Sequence, residues 1–344
     1  MSAAPAIVPP AVSEMDAEQQ LARDRFDISA VVAKADHRFI AGDHRSAAAF
    51  YAFAAKCAAA RGVPDQPTAD KARRASLMRD WLGERFRHHI VSSLEAAGCP
   101  SDAWPPRFRA ALEIMFGDRQ RDPVYERFPQ MPNVFFFPGL PNEDFADTSA
   151  FSWRTEFESR FRAMRDEAAA LLADTADFSP YVEKIVERPQ GDFHGLLENP
   201  SWSSLYLWTN GRPVEENVAR CPATFEAVRD LVPSVQIDGR APAVFYSLLK
   251  PGAHIPPHTG MLNVRYICHL PLIVPPNCYI RVGERTMQWE EGKMLAFDDT
   301  VEHEARNASS QDRLVLIFEI WKPYVTEAER LHVRKMLEIV DAYR

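Results

Sequence analysis

The sequence predicts an α+β protein, in which a helical N-terminal region precedes a domain of short strands. Apolar residues recur at helical spacing over much of residues 27–115. A segment dense in proline and aromatic residues follows at 118–143, and beyond residue 174 short apolar runs alternate with turn residues. Since 344 residues exceed the usual size of one domain, two folded units are expected.

The N-terminal half predicts a leader followed by helices. Residues 1–25 are rich in Ala, Pro and acidic residues without periodicity, which predicts a disordered leader. Residues 27–61 predict two antiparallel helices joined by a turn at 41–44, and the segment AGDHRSAAAFYAFAA resembles the middle of a tetratricopeptide repeat. That resemblance covers about one repeat, whereas stacked repeats need about three, so it predicts a single helical hairpin. Further helices are expected over 68–97 and 107–115.

The proline- and aromatic-rich segment predicts the boundary between the halves, which we place after residue 125. The predicted domains are a leader (1–25), a helical domain (26–125) and a C-terminal domain (126–344). In the last of these, helical spacing returns at 155–173, and Thr326 with Glu329 forms a capping-box signal for a final helix. Between these helices, several short strand candidates predict a barrel or sandwich: AVFYSLL, VRYICHLPLIV, CYIRV, MLAF and LVLIFEIW.

The composition argues against several classes of protein. A formal net charge of -8 offers no basic face for phosphate backbones, so no nucleic-acid partner is expected. No apolar run approaches the roughly eighteen residues of a membrane helix, and the N-terminal segment lacks the charged and apolar regions of a signal peptide. The cysteines are scattered without a CxxC pair, which fits reduced thiols in the cytoplasm: Cys57, Cys99, Cys221, Cys268 and Cys278.

Two histidines, His258 and His303, lie on segments that alternate like β-strands. Side chains at even separations share a strand face, so position 260 would point the same way as His258. A facial-triad iron site binds its metal through two histidines and one carboxylate, usually two residues after the first histidine, but position 260 is glycine. Glu302 and Glu304 flank His303 and would project to the opposite face of a regular strand.

Asp298 and Asp299 precede His303 and leave two interpretations open. Their carboxylates approach the ion from the preceding turn, or they hydrogen-bond the backbone of that turn. Two histidines alone leave coordination positions of an octahedral ion open for water, a bidentate co-substrate and O2. This arrangement fits iron better than structural zinc, which is tetrahedral and takes four protein ligands. His194 and His254 remain unassigned. Five histidines in helical segments receive no chemical role: His37, His44, His88, His89 and His332.

Arg313 begins a very apolar strand, 314–321. A charged residue at that point either lies at the solvent-exposed end of the strand or needs an anionic partner. A guanidinium binds a carboxylate through two parallel hydrogen bonds, which suits the far end of a dicarboxylate such as 2-oxoglutarate. The alternative is an arginine at a strand edge in a surface ion pair.

Residues 202–323 resemble the aspartyl/asparaginyl β-hydroxylase family of Fe(II)- and 2-oxoglutarate-dependent oxygenases. The matching stretches are LWTNGRPVEENVARCPATF, YSLLKPGAHIPPHTG, the NxR and HLPLIVP motifs, WEEGKMLAFDDTVEHEA and RLVLIFEIWKP. The resemblance does not extend to the N-terminal half. It implies a double-stranded β-helix, a cupin-like jelly roll, for the C-terminal domain.

The resemblance also implies a role for each residue of a two-histidine site. His258 and His303 would hold Fe(II), and glycine at position 260 matches the family pattern. Arg313 and Ser247 would bind the distal carboxylate of 2-oxoglutarate, although from the residues alone a buried Ser247 satisfies its hydroxyl on nearby backbone. The predicted catalytic residues are therefore His258, His303 and Arg313.

Three further positions in one stretch bear on anion binding. By the same resemblance, His269 would lie near the metal-proximal carboxylate of 2-oxoglutarate, and Arg265 near the anions of co-substrate and substrate. Ile267 stands where the vertebrate peptide-modifying members have a second arginine. That difference argues against an aspartyl side chain of an epidermal-growth-factor-like domain as the substrate.

The implied activity is hydroxylation of an unactivated carbon in an amino acid or a peptidyl, Asp- or Asn-like residue, with 2-oxoglutarate converted to succinate. The alternative is a cupin-like metal-binding or partner-docking protein without oxygenase turnover. The expected partners are a small-molecule, peptide or carrier-bound amino-acid substrate and a protein bound by the N-terminal helices, and a lipid acyl chain also stays open as a substrate. Neither a nucleic acid nor a membrane is expected.

Overall fold

The structure is a computed structural model that describes residues 5–6, 9–191 and 193–344. The chain divides into two compact units. The first consists of Met1–Ser101, Lys184–Asp192 and Ala342–Arg344, and the second of Asp102–Glu183 and Phe193–Asp341. No helix in the described part of the chain is both long and apolar enough to cross a membrane.

The first unit is helical over its described residues, with α1 (Glu14–Arg23), α2 (Ile28–Ile40), α3 (His44–Arg61) and α4 (Gln66–Ala96). An aspartate side chain caps each of the last three helices by accepting a backbone N–H: Asp27, Asp43 and Asp65. Helices α2 and α3 form the predicted hairpin. Their turn places Gly42 at φ 79°, which glycine adopts without a steric penalty. The core of this unit contains Val31, Tyr51 and Leu82.

The prediction of a disordered leader is wrong for residues 14–23, which form α1. The Ser13 hydroxyl caps this helix, and Glu14 and Asp16 place negative charge in its first turn. Ala17 is completely buried, and Glu18 lies 2.5 Å from the Lys34 ammonium of α2. A single small contact residue gives no detectable periodicity, so the sequence pattern missed this helix. The rest of the predicted leader includes residues 1–4 and 7–8, which lie outside the described residues.

The second unit contains helices on both sides of its strands in the sequence. They are α5 (Pro106–Phe116), α6 (Arg154–Ser159), α7 (Phe161–Ala173), α8 (Glu215–Arg220), α9 (Pro222–Leu231) and α10 (Glu327–Ala342), with 3-10 turns at Ser101–Ala103 and Thr148–Ala150. The predicted helix 155–173 is interrupted at Arg160. The capping box of α10 is confirmed, because the Glu329 carboxylate accepts from the Thr326 backbone N–H at 2.9 Å. Helix α5 belongs to this unit, whereas the sequence pattern predicted it within the helical domain.

The strands are β1 (Ser179–Pro180), β2 (Trp202–Thr209), β3 (Arg212–Pro213), β4 (Val244–Leu249), β5 (His254–His258), β6 (Arg265–Ile273), β7 (Cys278–Val282), β8 (Arg285–Gln288), β9 (Leu295–Phe297), β10 (His303–Asn307) and β11 (Arg313–Trp321). The described residues form a 7-stranded sheet in the order β1-β2-β4-β11-β6-β9, with β3 beside β2, and a 4-stranded sheet in the order β5-β10-β7-β8. Every pairing between these strands is antiparallel.

This strand order is that of a jelly roll. Strands β4, β11, β6 and β9 oppose β5, β10, β7 and β8, so the chain passes back and forth between the two sheets as it runs from β4 to β11. The predicted α+β class with a double-stranded β-helix is therefore confirmed.

The two faces of the large sheet have different environments. On the outer face Tyr266, Cys268 and Phe318 pack with apolar residues of α7 and α9. Because side chains alternate along a strand, Arg265, Ile267 and His269 of β6 then lie on the inner face, toward the second sheet. The inner face shares a smaller apolar cluster with β5, β7 and β10 of the second sheet. The candidate site residues lie on this inner side.

Candidate metal and co-substrate site

His258 and His303 lie side by side on the neighbouring strands β5 and β10. Their ring centroids are 4.1 Å apart. The Nδ1 atom of His258 is 2.8 Å from the Pro256 carbonyl oxygen, and that of His303 is 3.0 Å from the Val301 carbonyl oxygen. A carbonyl oxygen only accepts hydrogen bonds, so each Nδ1 carries the proton and each Nε2 keeps its lone pair. The pair therefore offers two nitrogen ligands to one ion.

Both imidazole rings are held in the neutral form that binds metals. Burial, reinforced by the neighbouring His258, lowers the pKa of His303 to about 3. Desolvation by the surrounding protein also lowers the pKa of His258, although this residue keeps an exposed edge. Since the charged form of each ring is disfavoured, a cation meets no repulsion from its ligands near pH 7. The exposed edge of His258 opens the site to solvent.

Asp299 fills the space in which a side chain at position 260 would lie. A Cβ atom built on Gly260 would overlap the Asp299 carboxylate. Burial raises the pKa of Asp299 to about 6, with Arg265 acting in the opposite direction. Its Oδ1 atom has no hydrogen-bond partner among the described residues. Glycine at 260 is therefore a steric requirement of this site, and a carboxylate approaches from the turn before β10.

The neighbouring Asp298 has the other role that the sequence left open. Its carboxylate accepts hydrogen bonds from the Thr300 backbone N–H at 3.0 Å and from Gln130 at 2.6 Å, and it pairs with the fully buried Lys322. Asp298 thus stabilises the turn, whereas the Asp299 carboxylate packs against Gly260 and Arg265. Within residues 5–6, 9–191 and 193–344, no group of three or more His, Cys, Asp or Glu side chains is placed to hold a metal ion. The site therefore provides two protein ligands.

Arg313 is buried at the start of β11, with 1% of its surface exposed. Its Nε and Nη1 atoms have no hydrogen-bond partner in the described part of the chain, and its guanidinium lies 4.8 Å from the Trp289 ring centroid. Burial lowers the pKa of Arg313 to about 10, so the group stays charged near pH 7. The alternative of a surface ion pair is wrong. A desolvated cation with unused donors is a binding site for an anion.

Ser247 and His269 lie on the same inner face as Arg313. Ser247 of β4 is opposite Val315 in the strand register, and its hydroxyl accepts a hydrogen bond from the Trp202 indole N–H at 3.1 Å. Burial, together with the charges of Arg313 and His303, lowers the pKa of His269 well below its usual range. The His269 Nδ1 atom has no partner among the described residues. The structure thus brings together the predicted residues His258, His303, His269, Ser247 and Arg313.

Arg265, which the resemblance places near the anions of co-substrate and substrate, lies next to two carboxylates of the protein itself. Its guanidinium pairs with Glu319 of β11 and lies 3.4 Å from the Asp299 carboxylate. Sequence reasoning missed Glu319, although an acidic residue within the apolar strand LVLIFEIW needs a cationic partner. It also missed Trp289, because nothing in the local sequence indicates which arginine that ring contacts.

Fe(II) and 2-oxoglutarate fit these residues. Two Nε2 lone pairs suit a divalent ion, and the unused donors of Arg313 suit the carboxylate of a dicarboxylate co-substrate. The His269 Nδ1 atom adds an unpaired polar atom beside both. The fold and site define a jelly-roll protein with two neighbouring neutral histidines and a buried arginine that has unused donors.

Comparison with known proteins agrees with this class. Residues 158–323 match the family model described as Aspartyl/Asparaginyl beta-hydroxylase. These residues, somewhat less than half of the chain, are similar to that family.

Two curated relatives and one solved structure illustrate the similarity. The ornithine lipid ester-linked acyl 2-hydroxylase of Rhizobium tropici is 34% identical over 55% of this chain and 64% of the relative. The human aspartyl/asparaginyl beta-hydroxylase is 34% identical over 50% of this chain and 21% of the relative. The Schizosaccharomyces pombe Cnp3 cupin domain aligns with a TM-score of 0.24 and 9% identity, over 36% of this chain and 67% of that one. The chain thus spans less than two thirds of either curated relative.

Proposed function

We propose that this protein is an Fe(II)- and 2-oxoglutarate-dependent dioxygenase that hydroxylates an unactivated carbon of an amino acid or a peptidyl, Asp- or Asn-like residue. The observation that carries the proposal is the buried Arg313, whose unused donors lie on the inner face of the large sheet, opposite the sheet that carries a pair of neutral histidines. With O2, the bound iron and 2-oxoglutarate supply the oxidation of a C–H bond to C–OH, and 2-oxoglutarate is released as succinate and CO2.

The protein contributes ligands, charge and orientation to this reaction. His258 and His303 hold the ion through Nε2, because their Nδ1 protons are committed to backbone carbonyls. Arg313 and Ser247 bind the distal carboxylate of 2-oxoglutarate, and His269 lies toward its metal-proximal end. Fixing the co-substrate at both ends restricts it to one orientation, so less entropy is lost when the reaction takes place.

Asp299 supplies negative charge beside a metal site that has only neutral protein ligands. Arg265 holds the Asp299 carboxylate from one side, and the glycine at position 260 leaves room for it. A carboxylate close to a divalent ion offsets part of its charge even without direct ligation.

The relatives point to two kinds of substrate. One is named for an ester-linked acyl chain of an ornithine lipid and the other for aspartyl and asparaginyl residues. Small-molecule, peptide and carrier-bound amino-acid substrates, and a protein partner docked on the N-terminal helices, are part of this proposal. A cytoplasmic location is also proposed, supported by the buried free cysteines of the described residues.

The test measures succinate formation by purified protein with Fe(II), 2-oxoglutarate and O2. His303→Ala should abolish it, because one of the two ligands is removed. His254→Ala is the matched control, since His254 precedes His258 on the same strand but is hydrogen-bonded to Glu304 at 2.7 Å. Wild-type turnover by His303→Ala would contradict the metal assignment. Metal binding without succinate under O2 would favour the alternative of a non-oxidative metal protein.

A further inference from the structure

We infer that the substrate presents its reacting carbon in an uncharged aliphatic chain, and not beside a carboxylate as in an aspartyl side chain. This inference rests on the proposed function of the same site and names its substrate chemistry. Strands β2, β4, β6 and β11, which line the inner face, carry two arginines and no lysine: Arg265 and Arg313. A substrate carboxylate near the iron would need one of these cations, because Arg281 of the second sheet is already paired with Glu302 and Glu304.

Neither arginine has an unopposed charge for a substrate carboxylate, although the Arg265 Nε atom has no hydrogen-bond partner among the described residues. Arg313 is assigned to the distal carboxylate of 2-oxoglutarate. Arg265 pairs with Glu319 and lies within 3.4 Å of Asp299, so one guanidinium faces two carboxylates. The side chains of Arg265 and Glu319 are only 11% and 5% exposed, which protects their pairing from screening by solvent. An arriving carboxylate would therefore meet a local charge that is negative or neutral.

Ile267 occupies the position between Arg265 and His269 on the inner face of β6. In the strand register it is opposite Glu319 on one side and Phe297 on the other. Its side chain packs against the apolar cluster shared with the second sheet. The position next to Arg265 on this face is thus aliphatic, and its two strand neighbours are an aromatic ring and a carboxylate, neither of which binds an anion.

An aromatic wall leads from solvent to the metal site. Tyr181 stacks on Trp202 with ring centroids 4.1 Å apart and on Phe245 at 5.5 Å. Trp202 lies 6.2 Å from the His258 ring. Since Tyr181 is 37% exposed, this wall begins at the surface and ends beside a metal ligand. Stacked rings provide a long apolar contact and few hydrogen-bonding groups for a charged ligand.

A second apolar surface lies beside the segment that follows His258. Met131, Val134 and Met261 are exposed by 52%, 38% and 44%. Backbone hydrogen bonds fix their relation, because the Val134 N–H donates to the Met261 carbonyl and the Met131 N–H donates to the Thr300 carbonyl. Three exposed apolar side chains around Gly260 are typical of a rim that contacts an apolar ligand. Both surfaces therefore favour aliphatic carbon.

The same chemistry has two sources: the aliphatic side chain of an amino-acid substrate, or an acyl chain. The test uses full-length protein loaded with Mn(II) and N-oxalylglycine, an unreactive analogue of 2-oxoglutarate. Mn(II) broadens the proton NMR signals of nearby ligand atoms without any turnover. The probes are N-acetylnorvalinamide, hexanamide and the α-amide of N-acetylaspartate, which keeps its side-chain carboxylate.

The methylene signals of at least one aliphatic probe should broaden about tenfold more than those of the aspartyl probe, because the Arg265 guanidinium already faces two carboxylates. The aliphatic probe that broadens more identifies the source. Equal or stronger broadening of the aspartyl probe would overturn the inference, and so would the absence of broadening for both aliphatic probes.

Two variants should reverse the preference. Glu319→Gln leaves Arg265 with one carboxylate partner, and Ile267→Arg adds a cation to the inner face, so each should increase broadening of the aspartyl probe about tenfold. Glu284→Gln is the control, because Glu284 forms an exposed pair with Arg127. If neither folded variant gains affinity for the aspartyl probe, the charge argument is wrong.

The proposed function has its own readout in the same experiment. The methylene of N-oxalylglycine should broaden in wild-type protein and not in His303→Ala. If the N-oxalylglycine methylene does not broaden in the wild type, the proposed function is overturned, and the inference with it. If that methylene does broaden but the protein prefers the aspartyl probe, the inference alone is overturned.

Discussion

The two ends of β11 carry buried cations with opposite environments. Arg313 begins the strand and Lys322 follows its last residue, and their exposures are 1% and 0%. The Lys322 ammonium pairs with Asp298, which also accepts from Gln130 and Thr300. Arg313 has an aromatic neighbour, and its Nε and Nη1 atoms lack a partner among the described residues. A buried charge with a complete set of partners stabilises a fold, whereas one with unused donors indicates a ligand.

The largest effect is expected when Lys322, the paired cation of the two, is replaced. Lys322→Met should destabilise the protein by about 3–5 kcal/mol, because it leaves Asp298 as a buried carboxylate without its cation. Urea unfolding followed by tryptophan fluorescence measures this loss. The double variant Lys322→Met/Asp298→Asn should recover part of it. Equal stabilities of the single and double variants would show that the pair is not coupled.

The unpaired cation should behave in the opposite way. Arg313→Met should leave the free energy of unfolding of the ligand-free protein unchanged or higher, because it removes a desolvated charge. The same variant should weaken 2-oxoglutarate binding by about 3 kcal/mol, since the co-substrate carboxylate loses its forked partner. Calorimetric titration of 2-oxoglutarate into metal-loaded protein measures the second effect. A large loss of stability without ligand would show that Arg313 has a structural partner.

The aspartates Asp298 and Asp299 show the same contrast between a carboxylate with a full set of partners and one with an unpartnered oxygen. Gly260→Ala should displace the Asp299 carboxylate and cost about 2 kcal/mol in stability or metal affinity, because a Cβ at 260 overlaps it. Gly83→Ala in α4 is the control, since a Cβ there meets nothing within 4 Å and alanine favours a helix. Mn(II) titration followed by electron paramagnetic resonance measures the affinity. Unchanged binding in Gly260→Ala would remove Asp299 from the site.

The smallest effect is expected for a single hydroxyl. Ser247→Ala should weaken 2-oxoglutarate binding by about 1 kcal/mol, the usual contribution of one neutral hydrogen bond. Ser203→Ala is the matched variant, because Ser203 is a buried serine whose hydroxyl donates to the Pro200 carbonyl. It should change stability and leave co-substrate affinity unaltered. Identical affinities of the two variants would exclude Ser247 from the anion site.

The parts of this site that were predictable follow from local periodicity. Strand alternation singled out His258 and His303, and the apolar strand 314–321 made Arg313 conspicuous. The jelly-roll order was expected from the resemblance and is confirmed by the strand pairings. These features depend on residues close together in sequence or on patterns that repeat along a strand.

The parts that were missed depend on contacts between distant segments. The sequence left Asp298 and Asp299 equivalent, because only the packing of Lys322 against one of them and of Gly260 against the other tells them apart. The pairing of Glu319 with Arg265 joins two strands whose register no local pattern fixes. Helix α1 was missed for a related reason, since its order comes from contacts with α2.

The orientation of the two ligand rings has a consequence for how this site tolerates change. Each Nδ1 is bound by the carbonyl oxygen two residues earlier in its own chain segment, at Pro256 and at Val301. Every residue type carries that oxygen, so the tautomer is independent of any distant side chain. Substitutions in the surrounding loops can therefore leave the orientation of these two imidazole rings unchanged.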